Sequence, residues 1–191
     1  SYINIKDLLS LEDYYKTDIH IKQKSYFKVI EELSKYLDFE IKDIDYKENN
    51  YSSFKGASFY KVPFSKTEDL NYLTNDLQKN VSVKHLEYSD NYVYKESALT
   101  SSDAYNVFLS GPSSLIEIEN HDIEDNKELI IFRDSFGSSL APLLIPYYKK
   151  ITLIDLRYMS TSLINNYVDF DNKDVLFLYS TLIVNNSFIL K

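Results

Sequence analysis

Apolar and polar positions change period several times along this chain, and each change marks an element. From Ile21 onward, Tyr26, Phe27, Ile30, Leu33 and Leu37 recur at three- and four-residue spacing. That spacing predicts an amphipathic helix of about four turns. Residues 5–12 read as a short helical lead-in. Asp13 to His20 are polar and aromatic without a helical period, so His20 falls just before the helix or in its first turn. Asp18 fits an N-cap of that helix. Residues 38–56 are charged and rich in Asn and Ser, and read mostly as loop. Phe54 to Lys61 alternates like a strand closed by Pro63. Thr67 to Lys79 places Leu70, Leu73 and Leu77 on one face, the pattern of a second helix. Val81 to Tyr94 alternates again around Ser89-Asp90-Asn91, the pattern of a β-hairpin.

The last third is the most regular. Residues 95–104 form a polar loop, and Tyr105–Leu109 leads into a chain reversal at Ser110-Gly111-Pro112. Leu115–Glu119, Leu129–Phe132, Ile151–Asp155 and Val175–Tyr179 are short apolar strands. Helical stretches separate the last three, at Ser138–Tyr148 and Met159–Tyr167. Strand, helix, strand, helix, strand implies an α/β fold with a largely parallel central sheet and right-handed crossovers, and the hairpin is a small insertion in it.

At 191 residues, 44% apolar and 26% charged, the chain is globular and reads as one domain. A net charge of −8 argues against nucleic acid and against an anionic membrane surface as partners. The absence of Cys excludes disulfides, thiol nucleophiles and Cys-ligated zinc. No apolar run approaches the roughly 20 residues of a membrane span. The first residue is Ser1, and the chain reads as the C-terminal part of a longer exported or membrane-anchored protein.

The densest candidate chemistry lies at Leu129 to Gly137. An apolar strand ends abruptly in Arg133-Asp134-Ser135, followed by a helical pattern. Open α/β sheets build their sites at the carboxyl ends of their strands. A hydroxyl there stands where backbone N–H groups meet developing negative charge. Ser135 is therefore a candidate nucleophile. The same residues also fit a helix N-cap, and taken alone they favour the cap. A serine nucleophile needs a base, and Asp18-Ile19-His20 far upstream supplies a histidine with a carboxylate to orient it. His85 reads as a half-buried strand residue and His121 as solvated. Neither they nor the carboxylates show metal-ligand spacing. Arg157 could meet a substrate carboxylate or pair with Asp155. Tyr14, Tyr15 and Tyr158 are the best placed aromatic candidates for lining a binding groove.

Six short motifs stand in one order. They are Tyr14-Tyr15-x-Thr17-Asp18-x-His20, Phe54-x-Gly56-x-x-x-Tyr60, Tyr105-x-x-Phe108-Leu109-x-Gly111, Asp134-Ser135 with Pro142, Asp155-x-Arg157-Tyr158, and Leu176-x-Leu178-Tyr179. In this order the chain resembles the bacterial DHHW proteins, related to SGNH-hydrolase-like polysaccharide O-acetyltransferases, from about Tyr14 to Ser180. The resemblance implies a three-layer α/β/α SGNH-like domain with permuted motif order. It implies a triad of Ser135, His20 and Asp18, for which the backbone N–H groups of Ser135 and Gly111 are the candidate oxyanion hole. It further implies a polysaccharide acceptor, a membrane-bound O-acyltransferase as acetyl donor, no cofactor, and a place outside the cytoplasm. The sequence departs from the family at Ile19 and Ile21, and at Ser110-Gly111-Pro112, where Gly-Gly-Asn is common. Two alternatives stay open: an acetyl esterase with the same triad, and a non-catalytic glycan-binding or assembly module on a decayed scaffold.

Overall fold

A computed structural model describes residues 1–61, 64 and 66–191. The chain forms two compact units, one from residues 1–76 and 94–108, the other from 77–93 and 109–191.

In the first unit, helix α1 (Tyr26–Ser34) buries Tyr26, Val29, Ile30 and Leu33. This is the face that the three- and four-residue spacing predicts, although the α-helix is shorter. A single 3-10 turn, Gln23–Ser25, leads into it. Its N-cap is Ser25, so Asp18 caps nothing here.

Strands β1 (Lys47–Phe54) and β2 (Glu68–Thr74) pair antiparallel. Both correct the sequence reading. The stretch read as loop is a strand whose outer positions are solvated; only Phe54 at its end is buried. The stretch read as a second helix is its partner. Leu70 and Leu73 fit a helical face, but Leu70 and Tyr72 fit a strand face equally well, and short apolar runs do not separate the two periods. Pairing with β1 settles it. Leu77 lies beyond the strand, in the 3-10 turn Asp76–Gln78. The strand expected over 54–61 ends at Phe54, and Phe59–Lys61 is a 3-10 turn. Pro63, expected to close it, lies outside the described residues. The core of the ribbon joins Tyr15, Phe54, Leu70, Tyr72, Tyr105 and Phe108.

The second unit is an α/β body. Its mixed five-stranded sheet has the order β3-β4-β6-β5-β7. The strands are β3 (Val81–His85), β4 (Leu115–Asn120), β5 (Glu128–Arg133), β6 (Lys150–Ile154) and β7 (Asp174–Leu178). Strand β5 is parallel to β6 on one side and to β7 on the other, whereas β4 is antiparallel to both β3 and β6. The antiparallel ribbon expected over 81–94 is therefore absent. Val81–His85 pairs with β4 instead, and the two-stranded antiparallel element of the protein is β1–β2.

Every residue from Leu129 to Phe132 is buried. A parallel strand covered on both faces calls for such a continuous apolar run. Helix α2 (Ser135–Leu144) carries the crossover from β5 to β6, and a 3-10 stretch (Thr161–Asn166) carries that from β6 to β7. The two connections leave in opposite directions along the sheet, so right-handed crossovers place them on opposite faces. Met159, Ile164 and Val168 accordingly pack on Ile130, Phe132 and Ile154. The switch point lies at the carboxyl end of β5, where open α/β sheets place their sites. Asp134 and Ser135 follow there. A short helix, α3 (Thr181–Asn185), completes the chain. Among the described residues, no helix is long and apolar enough to cross a membrane.

Candidate active site

The first unit holds an acid–histidine pair. Tyr14 bridges Ile21, and Tyr15 N–H donates to His20 O, so residues 14–21 fold back on themselves as a closed loop. Thr17 pins this loop. Its N–H and hydroxyl both donate to Glu68 Oε1, at 2.7 and 2.6 Å, and Lys16 N–H donates to Glu68 Oε2 at 2.9 Å. Within the loop, Asp18 Oδ1 accepts from the His20 ring at Nδ1 and, at 3.1 Å, from His20 N–H. Asp18 Oδ2 accepts from Ala57 N–H at 2.8 Å. Burial pushes this carboxyl up, but the bonds from His20 and Ala57 outweigh it and hold Asp18 below its ordinary value. A carboxylate on Nδ1 fixes the tautomer and leaves Nε2 as the basic nitrogen. The imidazole also lies flat on Tyr105, with centroids 3.7 Å apart and planes 12° apart.

Three residues that position this pair have no functional role in the sequence reading. Glu68 was hidden in the misread helix. Tyr105 stood in a motif with no role attached to it. Gly56 has a signal that could have been used, because an isolated glycine inside a strand pattern often marks a close backbone approach. A Cβ there would overlap Thr17 O and Asp18 Cβ. Tyr15 is 4% exposed within the core, whereas Tyr14 is half-buried.

The second unit holds Ser135, Gly111, Arg157 and Tyr158. Ser135 is the first residue of α2, and the cap is Asp134, whose Oδ1 accepts from Phe136 N–H at 3.0 Å. Asp134 Oδ2 also accepts from Ser180 N–H at 2.9 Å, tying the serine turn to the end of β7. Arg133 lies beneath the turn, 1% exposed. Its Nη1 donates to Ser138 Oγ at 3.0 Å and to Asp134 O at 3.4 Å. Its stem fills the space beside Gly137, where a Cβ would stand 2.6 Å from Arg133 Cβ.

Asp155, fully buried after β6, is 4.0 Å from Arg133 Nη1 and is gripped by Arg157. Arg157 Nε and Nη2 donate to it at 2.9 and 2.6 Å. Of the two roles open to Arg157, the structure displays the ion pair. Tyr158 is half exposed, its ring 5.4 Å from the Arg157 guanidinium carbon.

The loop before β4 is backbone-strained. Leu109, Ser110 and Gly111 have φ of 50°, 59° and 90° in succession. Non-glycine residues visit this region at a cost of about 1–2 kcal/mol each. Side chains from 87–88 brace the loop: Glu87 accepts from Ser113 Oγ at 2.5 Å and Ser114 N–H at 2.9 Å, and Tyr88 donates to Pro112 O at 3.0 Å. Among the described residues, no group of three or more His, Cys, Asp or Glu could hold a metal ion.

Fold comparison defines the class. The chain has the α/β fold of a DHHW family protein from Eubacterium siraeum, with a TM-score of 0.74 at 19% identity over 93% of this chain and 63% of that one. It is also similar to Bacillus cereus PatB1, with a TM-score of 0.65 at 20% identity over 94% and 64% of the two chains. A structure of PatB1 with a sulfonyl adduct matches at 0.66 and 20% identity, over 98% and 67%. The chain thus spans about two thirds of the length of these relatives. No protein-family model matches it, and neither does any curated protein sequence.

Proposed function

We propose that the protein is a serine acyltransferase that moves an acetyl group to a hydroxyl of a cell-envelope or extracellular polysaccharide, with Ser135, His20 and Asp18 as its triad. The observation that carries this reading is the division of labour at the start of α2. Asp134 caps the helix, so capping does not account for Ser135. The acid–histidine pair supplies the orienting half of a triad. The sulfonyl adduct on PatB1 adds support, since sulfonylating reagents mark activated nucleophiles.

In this mechanism His20 Nε2 takes the proton of Ser135 Oγ as the oxygen attacks the acetyl carbonyl carbon. The N–H groups of Ser135 and Gly111 hold the oxyanion, each worth about 3–4 kcal/mol when well aimed. The donor's C–O bond breaks, and its oxygen leaves with the proton from His20. An acceptor hydroxyl then gives its proton to His20 and attacks the acetyl-serine. Ser135 Oγ departs and recovers that proton. With water as acceptor the same steps make an esterase. A membrane-bound O-acyltransferase is the proposed donor, and the proposed compartment is outside the cytoplasm.

The test is intact-mass analysis of the protein after exposure to p-nitrophenyl acetate. A 42-Da increase (roughly one acetyl, an activated nucleophile's signature) that Ser135→Ala abolishes and His20→Ala slows supports the reading. No adduct on the wild-type chain overturns it in favour of a non-catalytic glycan-binding module, the reading that Pro112 favours by offering no N–H next to Gly111.

A further inference from the structure

The turn that follows β1 carries chemistry that the acyl mechanism leaves unused. Residues 55–66 contain Lys55, Lys61 and Lys66 and no acidic residue, in a chain whose net charge is −8. Three aromatic residues lie among them, Phe59, Tyr60 and Phe64, and the first two meet each other. Tyr60 is 84% exposed and meets Phe59 edge to face, with centroids 5.1 Å apart. Lys55 Nζ lies 5.3 Å from the Phe59 centroid and 5.8 Å from that of Tyr60. A ring held in water beside an ammonium is costly to keep as packing, since neither face nor charge is buried. Its chemistry suits a ligand with an apolar C–H face and an anionic substituent.

The turn is not free to drift from the acid–histidine pair. Gly56 N–H donates to Thr17 Oγ1 at 3.1 Å, Ala57 N–H to Asp18 Oδ2 at 2.8 Å, and Ser58 N–H to Thr17 O at 2.9 Å. Gly56 itself packs against Asp18, too close for any side chain. Three consecutive N–H groups thus fasten the aromatic turn to the loop of the acid–histidine pair, two to Thr17 and one to Asp18. Whatever sits on Tyr60 is held at a fixed offset from the base.

We propose that Lys55, Phe59 and Tyr60, with Lys61, form the acceptor subsite, and that it takes an acidic saccharide. The pyranose face stacks on Tyr60, and its carboxylate or phosphate meets the lysines. This rests on the reading of His20 as the base that activates the acceptor hydroxyl. It adds that acceptor recognition belongs to the unit that carries the base rather than to the unit that carries Ser135.

The experiment uses the full chain, with Tyr60→Ala and the double variant Tyr60→Ala/Lys55→Gln. Both side chains are exposed, so unchanged thermal melting is the folding control. Two readouts run side by side: formation of the Ser135 acetyl adduct from p-nitrophenyl acetate, and deacylation by an acidic oligosaccharide (tetragalacturonate or an N-acetylmuramic acid disaccharide) against neutral cellotetraose. Loss of stacking and one charge contact is expected to raise KM for an acidic acceptor roughly tenfold. Adduct formation should stay as in the wild type, and cellotetraose should be a poor acceptor throughout.

Acidic-acceptor KM values within twofold of wild type overturn the proposal. So does a preference for cellotetraose, or a variant-sensitive binding to phosphatidylglycerol vesicles without any to the acidic sugars, which would make the turn a membrane contact. If wild type forms no adduct, the acyl mechanism fails and calorimetry decides the subsite. Titration of the same acidic sugars, bound by wild type and lost in the double variant, keeps it; no binding removes it.

Discussion

His20 Nδ1 is bonded to the carboxylate of Asp18, only two residues before it, and Asp18 is held on its other oxygen by Ala57 N–H. The carboxylate of this pair comes from the same tight loop as the histidine, not from a distant strand. Its geometry therefore depends on the loop being closed, which Glu68 does through Thr17.

Asp18→Asn should leave the loop folded while presenting the wrong partner to the imidazole. An amide that keeps its oxygen toward Ala57 turns an NH2 toward Nδ1 and favours the unproductive tautomer. We expect kcat for acetyl-ester hydrolysis to fall roughly 10³- to 10⁴-fold with KM little changed. Glu68→Gln, which acts only by loosening the loop, should cost much less. Steady-state kinetics on the two variants compares them directly.

Acid stability follows from the same carboxylate. Asp18 and Glu87 are both held below their ordinary values in the fold, against burial that pushes them up: Asp18 by His20 and Ala57, Glu87 by Ser113 and Ser114. A folded pKa below the unfolded one means that the unfolded chain binds more protons as pH falls. The stability these groups contribute is complete above the unfolded value of about 4 and is lost as pH drops below it. Melting temperature should fall between about pH 5 and 3, and the fall should be shallower in Asp18→Asn and in Glu87→Gln. Equal slopes in all three proteins would mean that other carboxylates dominate.

Gly111 adopts φ of 90° after two non-glycine residues that are already left-handed. Gly111→Ala should lower stability by about 1–2 kcal/mol through backbone strain alone. If its N–H helps to hold the oxyanion, acetylation of Ser135 should slow by much more than that loss explains, roughly 10²-fold. A melting shift of a few degrees with an unchanged acylation rate would remove Gly111 from the mechanism. Differential scanning fluorimetry beside intact-mass kinetics reads both.

The sheet was legible in the sequence where a strand is buried on both faces. The apolar run Leu129–Phe132 gains one residue at each end in the structure, and the strand read over Ile151–Asp155 runs from Lys150 to Ile154, one residue earlier. The first half was harder to read for a physical reason. Strand β1 is mostly solvated and carries no pattern of its own, and β2 fits both periods until its partner is known. Strand β3 reads correctly as a strand but not for its partner, since β4 lies some thirty residues on and local alternation cannot encode a long-range pairing. Of the candidate residues, Asp18 and His20 are bonded as the spacing suggests, and Ser135 stands where β5 gives way to α2. Arg133 was not legible, because nothing in Phe-Arg-Asp-Ser says that the guanidinium is buried rather than solvated.

Arg133 gives the sharpest separation of stability from function. It is 1% exposed, and its Nε and Nη2 have no hydrogen-bond partner among the described residues. A buried cation with unused donors lowers stability, and replacing one with an apolar side chain of similar length is often neutral or stabilising by about 1–4 kcal/mol. Removing it would not orphan Asp155, which keeps the two-pronged grip of Arg157. Arg133→Met also keeps the stem packed beside Gly137. The variant should therefore melt at or above the wild-type temperature. What it loses is the Nη1 bonds to Ser138 Oγ and Asp134 O, which hold the first turn of α2 under Ser135. Acetylation of Ser135 should slow about tenfold, as for loss of one or two charge-assisted hydrogen bonds. Arg133→Lys, which keeps the charge but not the fork, should recover only part of the rate. A steep loss of melting temperature in Arg133→Met would instead make the guanidinium a structural ion-pair partner of Asp155 and dissociate it from the serine.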